Sequence, residues 1–315
     1  MQILDGGMGQ ELLARSTREV TTMWSADIML HEPQIVTDLH YDFIQAGAQI
    51  ITLNTYTATP QRLALNNASD KLEILHALAG IAAREAITRY ANSRPEQSSE
   101  HSLELRSEHC SEKNLDKPEN QIQVAGCLPP LVASYHPERS PEYTESLTTY
   151  RQLVELQAPY SDLYICETMS SIIEAKAACT AAKESGKPVW LAFSVCDDNP
   201  TQLRGGDALV DAIAELVPEY TDTVLLNCSR PEAIEQALPL LADKVKHIGV
   251  YANGFTSITS LYPGTTVKSL TTRKDLDPQE YAQHALLWAK AGATIIGGCC
   301  EIGPAHIKVL SETLS

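Results

Sequence analysis

Three cysteines at the ends of apolar runs carry the sharpest chemical signal in this 315-residue chain. Cys299 and Cys300 are adjacent and follow Gly297-Gly298, while Cys228 follows Asn227 where another apolar run closes. In a regular strand two neighbouring side chains point to opposite faces, so both thiols can reach one ion only where the strand ends irregularly. Two glycines permit that departure. Zinc prefers soft thiolates, and three protein ligands with a fourth position open describe a catalytic centre. The competing reading is plain packing, since cysteine is among the most buried residue types and needs no metal to be so. On position alone, both readings of Cys228, Cys299 and Cys300 stand. Asp5 and Glu167 each follow an apolar run directly, where a merely solvated carboxylate has no reason to be, and they are read as functional groups in preference to structural caps. Cys127, Cys166, Cys179 and Cys196 are read as packing or pocket lining.

These groups need a frame that brings residues 5, 167, 228 and 300 to one place. The chain alternates short β-rich runs with amphipathic helical stretches from end to end. The expected strands cover 2–7, 49–56, 122–128, 162–169, 188–196, 223–229, 247–253 and 294–300, mostly as continuous apolar runs of the kind buried on both faces of a parallel sheet. The expected helices cover 35–46, 71–92, 141–158, 172–185, 207–217, 231–243, 278–291 and 304–314. Pro231, Pro278 and Pro304 suit first-turn positions, and Gly47, Gly186 and Gly292 sit where a helix end needs positive φ. Eight such pairs predict an α/β fold, a single-domain (β/α)8 TIM barrel spanning residues 1–315. An open doubly wound sheet is the alternative, but Asp5-Gly6-Gly7-Met8-Gly9 is not a GxGxxG dinucleotide loop. Residues 95–121 break the alternation with seven acidic and three basic residues and almost no aliphatic content. Such a stretch predicts a polar, disordered surface insertion, and Cys110 within it is an exposed thiol without a role.

Composition excludes several classes of partner. With 24 Lys+Arg against 40 Asp+Glu the net charge is −16, which repels nucleic-acid backbones and anionic lipid surfaces. No stretch approaches the length of a membrane span, and the N-terminus lacks the charged and apolar regions of a secretory signal. The expectation is a cytoplasmic protein whose 8 cysteines are thiols and not a disulfide framework.

The chain resembles the zinc-dependent homocysteine S-methyltransferase family. The resemblance rests on Asp5-Gly6-Gly7-Met8-Gly9 with Glu11-Leu12, Trp24-Ser25-Ala26, Ala46-Gly47-Ala48, and Ile50 through Tyr56. It continues in Ile165-Cys166-Glu167-Thr168, Asn227-Cys228 and Gly297-Gly298-Cys299-Cys300. The chain departs from the family pattern in the insertion 95–121, in Glu301-Ile302-Gly303 and in Leu226. The resemblance implies Zn2+ on Cys228, Cys299 and Cys300, with homocysteine bound through its thiol. It implies that Asp5 and Glu167 grip the substrate ammonium group, that backbone N–H groups of Gly6, Gly7 and Met8 take the carboxylate, and that Asn54, Thr55 and Asn253 line the pocket. Family members that use methyltetrahydrofolate carry large extra domains, and betaine-using ones extend past the barrel, whereas this sequence stops at Ser315. The expected methyl donor is therefore a sulfonium, S-methylmethionine or S-adenosylmethionine, with betaine and other thiol or selenol acceptors as alternatives. A reading of a different class is a non-catalytic zinc barrel that senses thiols or tethers a partner through the insertion. Small-molecule substrates are expected, with no nucleic acid and no membrane.

Overall fold

The computed structural model describes residues 1–19, 21–93, 121–261 and 270–315. Eight parallel strands form one sheet in the order β1-β8-β7-β6-β5-β4-β3-β2. They are β1 (Gln2–Ile3), β2 (Ile50–Thr52), β3 (Gln123–Leu128), β4 (Leu163–Met169), β5 (Val189–Phe193), β6 (Thr223–Asn227), β7 (His247–Tyr251) and β8 (Ala293–Ile296). The ring closes between its ends: Leu4 bridges Ile50 in parallel, Asp5 N–H donates to the Ile50 carbonyl at 2.9 Å, and Gln49 N–H donates to that of Ile3 at 2.8 Å. The result is the expected (β/α)8 barrel.

Strand alternation divides the core in two. Leu4, Ile50, Ala125, Leu163, Ile165, Trp190, Ala192, Leu225, Tyr251 and Ile295 pack inside the barrel. Their neighbours, including Val124, Tyr164, Cys166, Leu191, Phe193, Leu226 and Val250, turn outward against the helices. That two-sided burial explains the continuous apolar strands, since every residue of β4, β5 and β6 is buried.

The outer helices are α3 (Pro33–Gln45), α5 (Leu72–Ser93), α6 (Tyr143–Gln157), α7 (Ile172–Glu184), α8 (Leu209–Tyr220), α9 (Pro231–Ala237), α10 (Pro278–Lys290) and α11 (Pro304–Leu314). Their punctuation is chemical. Pro231, Pro278 and Pro304 stand in first turns, and Asp277 accepts the Gln279 and Glu280 N–H groups at 2.9 Å each. Gly47, Gly186 and Gly292 adopt φ of 108°, 74° and 102° past the ends of α3, α7 and α10, a region that costs glycine nothing.

Three further helices were not anticipated: α1 (Met8–Arg15) and α2 (Ser25–His31) between β1 and α3, and α4 (Pro60–Leu65) between β2 and α5. They thicken the barrel rim on which the strands end. Strands are shorter than the apolar runs suggested, because each run continues into the loop that carries a polar group. Among the described residues no helix is long and apolar enough to cross a membrane. The expected insertion, apart from Gln121, lies outside the described residues.

Candidate metal and substrate site

The C-terminal ends of the strands surround a pocket lined by Asp5, Gly6, Gly7, Met8, Asn54, Glu167, Cys228, Tyr251, Cys299 and Cys300 among others. This is the face on which barrels of this kind build their sites, because βα loops vary there without disturbing the core.

Cys228 follows β6 with φ of 49°, a left-handed conformation that turns the chain out of the strand. Cys299 and Cys300 follow β8 through Gly297-Gly298. The two segments are tied by the end of β7: Cys228 N–H donates to Tyr251 at 3.3 Å, Cys299 N–H to Ala252 at 2.9 Å, and Gly254 N–H to the Cys300 carbonyl at 2.9 Å. Glycine is required nearby, since a Cβ on Gly7 would strike the Cys299 carbonyl and one on Gly298 the Ile302 side chain. The Cys228 carbonyl also accepts from the nearly buried Arg204 guanidinium at 3.1 Å, and Arg204 pairs with Asp197 at 3.1 Å.

The three sulfurs lie within 4.8 Å of one another. Sulfurs on a tetrahedral zinc at about 2.3 Å stand about 3.8 Å apart, so the donor set fits such an ion with small movements. In this structure the Cys228 and Cys299 sulfurs are in direct contact, with Cα atoms 5.9 Å apart, and a metal ion bound there would need both as thiolates. Burial pushes the Cys300 thiol up to about 12. A thiolate at that position therefore needs a cation beside it.

Two carboxyl groups stand in the same pocket. Asp5 accepts from Thr52, N–H at 2.7 Å and hydroxyl at 3.2 Å, yet burial outweighs these bonds and raises it to about 8. Glu167 is raised by burial to about 7, against a lowering contribution from the Cys127 thiol. Neither forms an ion pair among the described residues, and the Glu167 carboxyl adds to the reluctance of Asp5 to ionise. Burial thus favours the neutral form of both, and a cation beside them would favour the ionised form.

The remaining expected residues divide. Gly6, Gly7, Met8 and Asn54 line the pocket. The Gly7 N–H, however, already donates to the Ile302 carbonyl at 2.9 Å, so it is committed to the fold. The available amides are those of the first turn of α1, whose Met8, Gly9 and Gln10 also line the pocket. Thr55 is buried outside the lining, with its hydroxyl 3.5 Å from the Gln157 amide oxygen. Asn253 likewise lies outside the lining and accepts from Phe255 N–H at 2.9 Å through its side-chain oxygen.

Sequence reasoning missed several groups. The Tyr251 hydroxyl is a buried polar atom without a hydrogen-bond partner among the described residues, and Tyr251 lines the pocket together with Gln10, whose side chain hydrogen-bonds Cys300. A buried unpaired donor carries a desolvation cost of about 1–3 kcal/mol that a ligand can relieve. Tyr56, Tyr135, Trp24 and Phe255 supply aromatic walls. The strand parity that turns Leu225 inward on β6 would have placed Tyr251 inward on β7, but an inward tyrosine reads as packing until its hydroxyl is located.

Residues 2–314 match the family described as homocysteine S-methyltransferase. A homocysteine S-methyltransferase of Escherichia coli (strain K12) is 29% identical over 320 residues, covering 98% of this chain and 93% of its own. A selenocysteine methyltransferase of Astragalus bisulcatus is 26% identical over 339 residues, covering 99% and 92%. Among solved structures, the homocysteine methyltransferase MmuM from Escherichia coli in its metallated form superposes with a TM-score of 0.77 at 23% identity, covering 99% of this chain and 96% of that one. That structural likeness is one of fold.

Proposed function

The chain belongs to the homocysteine S-methyltransferase family and is an enzyme of that class, and from this we propose that it methylates homocysteine from a sulfonium donor, S-methylmethionine or S-adenosylmethionine, using zinc held by Cys228, Cys299 and Cys300. The observation that carries the reading is the convergence of three sulfurs from two strand ends beside two buried carboxyl groups that lack a cation. Zinc, when bound, supplies the deprotonation: a coordinated thiol loses its proton near neutral pH, where a free one at about 8.5 is mostly protonated.

The chain's own residues do the rest. Asp5 and Glu167 accept the substrate ammonium group, which restores the charge balance that burial denies them. The first-turn amides of α1 receive the carboxylate at the positive end of the helix. Tyr251 offers a buried donor that a bound substrate satisfies. The aromatic walls exclude water and favour a positively charged sulfonium over a neutral donor. In the transfer, the homocysteine sulfur's electron pair forms a new bond to the methyl carbon, the donor's carbon–sulfur bond breaks, and the donor leaves as a neutral thioether. The thiol proton passes to solvent. Charge is neutralised in the transition state, and a dry pocket favours that. A selenol acceptor is the second reading, favoured by the similarity to a selenocysteine methyltransferase.

Turnover of the reduced, zinc-loaded enzyme with homocysteine against S-methylmethionine, S-adenosylmethionine and betaine in parallel tests this. Methionine should form with a sulfonium donor, and chelation or Cys299→Ala should abolish it. Turnover that survives both would refute the metal's role, and turnover confined to betaine would refute the donor assignment.

A further inference from the structure

The side chain of Asn227 spans two strand ends that do not touch as neighbours in the sheet. Its carbonyl oxygen accepts the Thr168 N–H at 3.1 Å, and its amide nitrogen donates to the Thr168 hydroxyl at 2.8 Å. Thr168 is the penultimate residue of β4 and Asn227 the last of β6, with β5 between them. Both residues are wholly buried.

The two backbones at this bridge are unusual. Cys166 pairs with Leu191 and Met169 with Phe193, so Glu167 and Thr168 together face the single residue Ala192, which is a β-bulge. Within the bulge Thr168 has φ of 60°, and Cys228, next to Asn227, has φ of 49°. A β-branched residue at positive φ is an outlier that persists only where its surroundings over-determine it. A two-point hydrogen bond to both the backbone and the side chain of Thr168 is such a constraint. Ile165 and Leu225 point into the barrel. Without the bulge, strict alternation would turn Thr168 outward and away from Asn227. The small inward Ala192 on β5 leaves the space across which the amide reaches.

We infer that Asn227 and Thr168 are a pair of positioning residues that lock the acceptor-binding carboxylate Glu167 and the metal ligand Cys228 in register with each other. Glu167 is held by the strained residue that follows it, and Cys228 by the clamped residue that precedes it. The inference rests on the proposed function for what those two groups bind. It adds that the metal and acceptor sites share one mechanical element, so a change in the clamp disturbs both.

The test compares Thr168→Val, Thr168→Ser and Asn227→Ala with the unaltered chain, reading three quantities: the rate of zinc release to a colorimetric chelator, KM for homocysteine, and the thermal midpoint of the metal-free protein. Thr168→Val removes the hydroxyl at nearly constant shape, and Thr168→Ser keeps it. Because the Thr168 hydroxyl also contacts that of Tyr56, Asn227→Ala serves as the variant that spares this second contact, and Thr168→Val remains informative should Asn227→Ala fail to fold. Losing one buried hydrogen bond predicts about a tenfold rise in both zinc release and KM for Thr168→Val, with Thr168→Ser close to the unaltered chain. A lowered midpoint with zinc release and KM unchanged would show the pair to be merely structural and overturn the inference. If the unaltered chain itself neither holds zinc nor consumes homocysteine, the proposed function fails instead, and the two failures are thereby distinguished.

Discussion

Glu167 shows how a candidate functional side chain stands out by what it costs. It is buried to 8% exposure and raised to about 7, so the folded protein holds a proton that the unfolded chain releases near about 4.3. Between these values the folded state binds more protons, and stability therefore falls as pH rises through the window, the full penalty being present above about 7. Glu167→Gln removes that penalty. Thermal unfolding of the metal-free variant at pH 8 should occur at a higher temperature than for the unaltered chain, with the difference vanishing near pH 4. The same substitution should raise KM for homocysteine by about tenfold or more, because a charge-assisted bond to the ammonium is lost. An unstable variant with normal KM would mean that Glu167 supports the fold and not the substrate. Asp5, Glu167 and the three cysteines, which the structure brings to one pocket, stand out in the sequence as candidates because polar or thiol groups at the ends of apolar runs have few structural uses. Tyr251 does not, since an inward tyrosine looks ordinary until its hydroxyl proves unpaired among the described residues.

The elements matter chiefly through their last residues. Tyr281 on α10 donates its hydroxyl to the Gly297 carbonyl at 2.7 Å and accepts the Ala252 N–H at 3.1 Å, which ties the helix layer to the ends of β7 and β8. Those ends carry Cys299 and Cys300. Tyr281→Phe leaves two buried backbone groups without a partner, which should lower stability in denaturant titration by about 1–3 kcal/mol and quicken zinc release. Unchanged release would place the ligand loop under the control of its glycines alone. Apolar periodicity and proline–glycine punctuation located all eight strands and the eight outer helices, since burial on two faces dictates composition. It did not locate α1, α2 or α4, which are short and sit at the rim where polarity is mixed. Nor did it reveal the bulge at Glu167 and Thr168, because an extra residue in one strand is visible only against its partner.

The barrel as a whole gathers groups from residue 5 to residue 300 onto one rim, so no fragment of the chain contains the site. A fold of this kind hosts many chemistries, and the assignment rests on the rim and not on the barrel. The net charge of −16 argues against polyanionic partners, and at the mouth carboxyl and thiol groups gather where a cation would favour their ionised forms. Zinc K-edge X-ray absorption on the reduced, zinc-loaded protein, with and without homocysteine, addresses this directly. Three sulfur neighbours at about 2.3 Å should become four when homocysteine is added. A sulfur count that stays at three in saturating homocysteine, or a metal surrounded by oxygen and nitrogen, would contradict the assignment.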